Sequence, residues 1–210
     1  MGKTRNSRKE REKAKRREEI LEAALKLFSK KGFHDVSMRE IADKSEFAIG
    51  TLYTLFVNKD SLLESLLHHY GEKIIGEVTG VLDGSGNEAE LLVAFIQCQP
   101  RILEKYSEVM KVYSAVFETR GVVLSHIRDR IKIKEILNSK LTHLFERGIQ
   151  KGFFRAVDPE IAAKSINSII ETVALENAGR IDTSKAIEMF HKIEHLFVGG
   201  LLSREIETTG

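Results

Sequence analysis

The chain has 210 residues, which is enough for one large or two small domains. The composition favours an all-helical fold, because the chain has only two prolines and many Leu, Ile, Glu, Lys and Ala residues. The single cysteine, Cys98, excludes an internal disulfide framework and a multi-cysteine zinc site. No apolar run approaches the roughly 20 residues of a membrane span, and the N-terminus is charged rather than apolar. We therefore expect a cytoplasmic protein without a membrane partner.

The overall formal charge of +2 hides an uneven distribution along the chain. Residues 1–17 hold nine Lys or Arg residues against Glu10 and Glu12, a net charge of +7 that leaves −5 for the rest. We expect residues 1–9 to be disordered and the first helix to begin between Arg8 and Arg17. Cations clustered in this way favour a polyanionic partner such as a nucleic-acid backbone, and a solvated tail is the alternative.

The first predicted helix ends at Lys31, where Gly32 occupies the position after the last helical turn. Its apolar residues recur at helical spacing and are Ile20, Ala23, Ala24, Leu27 and Phe28. This helix is expected to supply the core on which the next two helices pack.

Two short helices follow, separated by a very short connection. Ser37 is placed to cap the first, with Glu40 three residues later in capping-box spacing. Ser45-Glu46-Phe47 suits a tight turn, and a second helix over 48–56 follows it. Two short helices joined by three residues are typical of the helix-turn-helix, whose second helix can enter a DNA major groove.

The residues of this stretch also match a known family in order and spacing. They are Ile20, Ala23-Ala24, Leu27-Phe28, Gly32-Phe33, Ile41-Ala42, Gly50-Thr51-Leu52-Tyr53, Phe56, Lys59-Asp60 and Leu62-Leu63. Over roughly residues 18–65 the chain resembles the tetracycline-repressor (TetR) family. The resemblance implies an all-α protein of about nine helices. A basic extension (1–17) would precede a three-helix DNA-binding domain (18–65) and a helical effector-binding and dimerisation domain (66–210).

The resemblance implies which residues face DNA. They are Ser37, Phe47, Ala48, Ile49, Gly50, Thr51, Tyr53, Thr54 and Lys59. Hydroxyl groups suit phosphate or base-edge hydrogen bonds, and Lys59 at a helix N-terminus would anchor a phosphate. The chain departs from the family where glycine or polar residues are usual, at Glu46, Ala48, Ile49 and Leu55. Ala48 and Ile49 could contact thymine methyl groups instead.

The remaining two thirds of the chain shows only helical patterns. Asn58 is placed to cap a fourth helix that continues toward Val81, and 83–87 is a turn. Pro100 should kink the fifth helix near 96–99. The fifth to ninth helices are predicted at Glu88–Lys105, Ser107–Glu118, Val123–Lys151, Pro159 to about Ala178, and Thr183 to about Ser203. Asp158 is placed to cap the eighth helix, and Pro159 suits its first turn.

The last two predicted helices carry apolar residues on more than one face, so we expect a second chain to cover part of them. The resemblance places a four-helix homodimer bundle here, formed by Ile166, Ile170, Val173, Phe190, Ile193 and Phe197. An ordinary core within one chain is the alternative.

The fifth to eighth helices are expected to enclose an effector pocket between them. The residues at helical spacing along the segments that line it in the family are Phe95, Gln99, Met110, Tyr113 and Phe117. Their character suggests an apolar small-molecule effector, and a filled core is an equally good interpretation for each residue.

His191-Lys192-Ile193-Glu194-His195 matches the H-x-x-E-H pattern of some zinc proteases. A third ligand is not evident, so a solvated helix surface is the favoured interpretation, and we expect no metal, no cofactor and no enzyme.

These features together predict a homodimeric one-component transcriptional regulator. It would be a repressor that a small molecule releases from a palindromic operator in double-stranded DNA. The alternatives are an architectural DNA-binding protein without an effector and a helical enzyme.

Overall fold

The computed structural model describes residues 2–120, 124–177 and 183–201, with side chains for 8–116, 134–177 and 184–201. Within these ranges the secondary structure is entirely helical, and no helix is both long and apolar enough to cross a bilayer. The helices are α1 Gly2–Lys31, α2 Met38–Ser45, α3 Ile49–Leu55, α4 Lys59–Leu82, α5 Glu88–Gln97, α6 Gln99–Lys105, α7 Ser107–Arg120, α8 Leu124–Gln150, α9 Pro159–Glu176 and α10 Thr183–Leu201.

The first helix is longer than its apolar pattern predicts. It begins at Gly2, so the expectation of disorder over 1–9 is wrong for the described residues 2–9. The segment from Lys3 to Lys31 contains neither Gly nor Pro and is rich in Lys, Arg, Glu and Ala, which are strong helix formers. Ion pairs one turn apart, Arg8–Glu12 at 3.1 Å and Lys15–Glu19 at 3.7 Å, add a small stabilisation.

The predicted start signals of α2 and α4 are confirmed. Ser37 and Glu40 form a reciprocal capping box at the start of α2. Asn58 caps α4 in the same way, with Ser61 as its partner. The apolar faces of these helices meet α1 in one core, formed by Ile20, Leu21, Ala24, Phe28, Ile41, Ala42, Leu52, Phe56, Leu62, Leu63 and Leu66.

The predicted fifth helix is two helices in the structure. The chain breaks at Cys98, and α6 starts with Pro100 in its first turn. Proline has no N–H and its ring clashes with the carbonyl four residues earlier, so a straight helix cannot pass through this position. The predicted kink is therefore confirmed, and the described chain has ten helices where about nine were predicted.

The C-terminal helices surround a second part of the core. The helix α8 packs along α9 and α4, whereas α10 packs on α5 and α6. Asp158 caps α9, with Pro159 in its first turn, as the sequence predicts. Gly148 in α8 is required by packing, because a Cβ atom there would lie 2.1 Å from Cδ2 of the buried Phe154.

Candidate functional site

The short helix α3 presents one face to solvent and buries the other. Ile49 and Tyr53 are 41% and 55% exposed, whereas Leu52 is fully buried in the core. Of the nine residues expected at DNA, six are exposed and three are half-buried, namely Phe47, Thr51 and Lys59. A Cβ atom built on Gly50 would have no neighbour within 4 Å, so the backbone is open on this side. The face is therefore accessible to a large partner.

The turn between α2 and α3 is built without the glycine that is usual in the family. Glu46 takes a left-handed conformation with φ of 59°, and the N–H of Phe47 donates to the carbonyl of Ala42 at 3.1 Å. A left-handed residue other than glycine costs about 1 kcal/mol. The surrounding core therefore holds the turn in place against this cost.

Ser37 is occupied by its own helix cap. Its backbone N–H and its hydroxyl donate to Glu40 Oε2 at 2.8 and 3.0 Å, and the Lys31 ammonium donates to Glu40 Oε1 at 2.7 Å. The hydrogen bond from Lys31, followed by those from Ser37, lowers the pKa of Glu40 to about 2. The carboxylate therefore ties α2 to the end of α1 at neutral pH.

Lys59 directs its ammonium into the protein. Nζ donates to the carbonyl oxygens of Phe33, His34 and Val36 at 2.7, 3.1 and 2.6 Å, and lies 4.5 Å from the centre of the Phe33 ring. The expectation that this ammonium anchors a phosphate does not fit this geometry, because its hydrogen bonds serve the α1–α2 loop. Lys59 positions the cap of α2 relative to α4.

Arg39 is a candidate DNA contact that the sequence interpretation missed. It is exposed and lines the same groove as Ile49, Tyr53 and His34. The signal was available, because Met38, Ile41 and Ala42 form the apolar face of α2 and leave Arg39 on the other side.

A partly open cavity of about 250 Å³ lies between α4, α6, α7, α8 and α9. Its apolar lining includes Leu67, Ile74, Ile75, Val78, Ile102, Leu103, Val109, Leu137, Ile170 and Ala174. Seven of the twenty lining residues are polar or charged and come from all five helices, but they contribute little of the lining surface. Gln99 donates from Nε2 to the carbonyl of Phe95 at 2.9 Å, and Lys134 pairs with Glu171 at 2.9 Å. The chemistry suits a mainly apolar small molecule.

The structure separates the five residues expected at the effector pocket. Gln99, Met110 and Tyr113 line the cavity. Phe95 is fully buried in the core and does not line the cavity, to which α5 contributes none of the lining residues. The side chain of Phe117 lies outside the described residues.

The residues expected at a dimer interface are mostly covered within one chain. Ile166, Ile170, Val173, Phe190 and Ile193 are at most 8% exposed, and Phe197 is half-buried. They pack against other helices of the same chain, so they are not available as a contact surface. Helical periodicity indicates that a face is buried but not what buries it. The outer faces of α9 and α10 carry different exposed apolar residues, namely Ile161, Ile187 and Leu196.

The other candidate sites have structural explanations. His191 and His195 are exposed, and among the described residues no group of three or more His, Cys, Asp or Glu could hold a metal ion. Burial raises the pKa of the Cys98 thiol to about 11, so this cysteine is not a reactive thiolate at neutral pH.

Comparison with known proteins gives the same family as the sequence motif. Residues 20–66 match the model described as "Bacterial regulatory proteins, tetR family". The HTH-type transcriptional repressor KstR2 of Mycobacterium tuberculosis is 25% identical over 142 residues, which cover 67% of this chain and 70% of that protein.

Solved structures share the fold over almost the whole chain. A TetR-family transcriptional regulator from Syntrophomonas wolfei is 25% identical, with a TM-score of 0.71 and coverage of 91% of this chain and 98% of that one. The regulator FadR from Bacillus subtilis, in complex with stearoyl-CoA, is 22% identical, with a TM-score of 0.71 and coverage of 87% and 97%.

The fold and the exposed α3 thus define a helix-turn-helix protein with a larger helical domain that contains a cavity. Residues 20–66 carry the N-terminal domain of the TetR family of bacterial regulatory proteins, and the chain as a whole resembles transcriptional regulators of that family.

Lys59 provides a test of this geometry. Lys59→Met keeps most of the side-chain length but removes the three donors, and hydrogen bonds from charged groups contribute about 1.5–3 kcal/mol. We expect the free energy of unfolding to fall by about 2 kcal/mol in urea denaturation followed by circular dichroism. Lys44→Met, at an exposed position of α2, should change it little. Equal stability of the two variants would contradict the positioning role of Lys59.

Proposed function

We propose that the protein is a transcriptional repressor that binds double-stranded operator DNA through α3 and is released by a small-molecule effector in the cavity between α4 and α6–α9. The observation that carries this proposal is the open face of α3, on a domain that matches the family model over 20–66. Its relatives are named as regulators, so a regulator is favoured over an enzyme.

The dimensions of α3 suit a major groove. An α-helix with its side chains is about 10–12 Å across, and the major groove of B-DNA is about 12 Å wide. Ile49 and Tyr53 lie one turn apart on the exposed face and would enter together. An apolar Ile49 suits the thymine methyl group, whereas the Tyr53 hydroxyl suits a phosphate or a base edge.

Substitutions in α3 distinguish contacts to bases from contacts to the backbone. Ile49→Ala should change the preferred operator sequence, because apolar base contacts are lost, and Thr51→Ala should do so through a lost base-edge hydrogen bond. Tyr53→Phe should weaken binding by a similar factor on all sequences. Titrations of each variant on matched and scrambled duplexes measure both effects. Unchanged affinity in all three variants would contradict the assignment of α3.

Binding to a palindrome requires two copies of the chain, and regulators of this family are typically dimers. We propose that the outer face of α9 makes the contact. Ile161, Ser165, Ser168 and Thr172 follow one another along this exposed face at helical spacing. Small side chains allow two helix axes to approach closely, and exposed Ile161 gains most from being covered.

The dimer contact is tested by adding a large charged side chain to this face. Ser168→Arg should produce a monomer in sedimentation equilibrium, because a buried unpaired guanidinium is costly. Ser85→Arg, the same change in an exposed turn, should leave the dimer intact. Dimers in both variants would exclude this face, and a monomeric unmodified protein would exclude the dimer.

The cavity and the DNA-binding surface are joined by α4. This helix begins beside the groove at Asn58 and runs without interruption to Leu82, and Leu67, Ile74, Ile75 and Val78 line the cavity along it. An effector that favours another position of α4 would alter where α3 sits relative to its copy in the dimer. Binding of effector and operator would then weaken each other by the same factor.

Cavity binding is tested with the neutral fluorescent probe N-phenyl-1-naphthylamine. Gly71 lines the cavity, whereas Gly76 on the same helix is exposed and has open space around it. Gly71→Leu should fill part of the cavity and reduce the fluorescence increase at saturation. Gly76→Leu should leave the increase as in the unmodified protein. No difference between the two variants would show that the probe binds elsewhere, and would contradict an apolar effector site at this cavity.

A further inference from the structure

The N-terminal part of α1 carries two kinds of basic residue. Arg8 and Lys15 are paired with Glu12 and Glu19 one turn away. Three other cations, Lys9, Lys13 and Arg16, are exposed, and none of them pairs with a carboxylate of the described residues. They are spaced at i, i+4 and i+7, so they share one helix face. We call these three residues the basic stripe.

Contacts further along α1 show which way this face points. Lys13 and Lys31 are eighteen residues apart, about five turns of an α-helix, and so share an angular position. Lys31 pairs with Glu40 of α2 at 2.7 Å. Glu18, which faces a different side of α1, pairs instead with Lys73 of α4. The basic stripe therefore lies on the side of α1 that faces α2, and away from the side of Glu18.

Arg17 fixes the distance of the basic stripe from α3. Its guanidinium lies 3.4 Å from the carbonyl oxygen of Leu55, the last residue of α3, and 2.5 Å from Ser65 Oγ. Its carbon Cζ also lies 4.6 Å from the centre of the Phe56 ring. From this anchored point, α1 carries the stripe outward to Lys9 over about 12 Å, at 1.5 Å per residue.

The chemistry of the stripe favours a polyanion over a membrane. Residues 3–17 contain one aliphatic side chain, Ala14, and no aromatic one. Helices that lie on a bilayer bury an apolar face in it, and this segment has none. A row of cations at intervals of one turn, beside a helix that would lie in the major groove, suits the phosphates that border that groove.

We infer that the basic stripe is a second DNA contact, in which Lys9, Lys13 and Arg16 bind phosphates that flank the half-site read by α3. This inference rests on the proposed function, since it takes α3 to be at the DNA. The contact adds affinity without reading sequence. It also gives the helical extension of α1 a role, since the three side chains of the stripe are exposed in the described part of the chain.

The test compares two triple variants of the full-length protein with equal loss of charge. The stripe variant is Lys9→Gln, Lys13→Gln and Arg16→Gln. The matched control is Arg8→Gln, Arg11→Gln and Lys15→Gln, all exposed residues of the same segment on other sides of α1. Affinity for an operator duplex and for a scrambled duplex is measured from low to high salt.

In the proposed dimer the stripe variant should reduce the magnitude of the slope of log K against log salt by about 5, because it removes six phosphate contacts, three per chain, that contribute about 0.9 each. Its affinity should fall by a similar factor on both duplexes, whereas the control should keep a slope close to that of the unmodified protein. Equal losses in the two variants would overturn the inference, since the effect would then follow charge alone. Unchanged slopes in both would overturn it as well.

The outcome is distinguishable from failure of the proposed function. If the unmodified protein binds no duplex, the proposed function is wrong, and the inference about the basic stripe is then wrong as well. If the protein binds DNA and the variants behave like it, only the stripe fails. Vesicles of phosphatidylserine and phosphatidylcholine should show no stripe-dependent binding. Stripe-dependent vesicle binding together with unchanged DNA slopes would assign the face to membranes and overturn the inference.

Discussion

The two helices of the candidate DNA-binding surface are too short to be stable alone, and the rest of the domain supplies their stability. The helix α2 has eight residues and α3 has seven, whereas isolated helices of fewer than about 12–15 residues are marginal in water. The side chains of Ile41, Leu52 and Phe56 are at most 2% exposed. The orientation of the exposed face of α3 is therefore set by α1 and α4, and not by α3 itself.

Two cations fix the ends of this small assembly. Arg17 of α1 contacts the C-terminal end of α3 through the carbonyl of Leu55, and Lys59 of α4 holds the loop that precedes Ser37. Each links segments that are distant in sequence. Helix α4 also lines the cavity. A shift of α4 would therefore change the position of α3 without changing the internal structure of α3.

Much of this architecture could be predicted because its signals are local. The caps at Ser37, Asn58 and Asp158 and the break before Pro100 each depend on a few adjacent residues, and the structure has all of them. The start of α1 was missed for a related reason. Its first turns lack apolar periodicity, and a highly charged segment of good helix formers has the composition of a disordered tail.

Long-range features were not predictable in the same way. The periodicity of α9 and α10 showed that Ile166, Ile170 and Phe190 are buried, but not that their own chain buries them. The partners of Lys59 lie more than twenty residues away, so its position beside a helix N-terminus suggested a phosphate instead. Spacing also could not distinguish Phe95, in the packed core, from Gln99, at the cavity wall.

The central claim is that α3 reads DNA as one of a symmetric pair. Selection of duplexes bound by the full-length protein from a random pool tests it most directly, because one experiment reports specificity, symmetry and spacing. The account predicts an enriched palindrome whose two half-sites have centres about 34–36 Å apart, or a multiple of that distance. A pool that stays random at low ionic strength, or that yields a single half-site without symmetry, would contradict it.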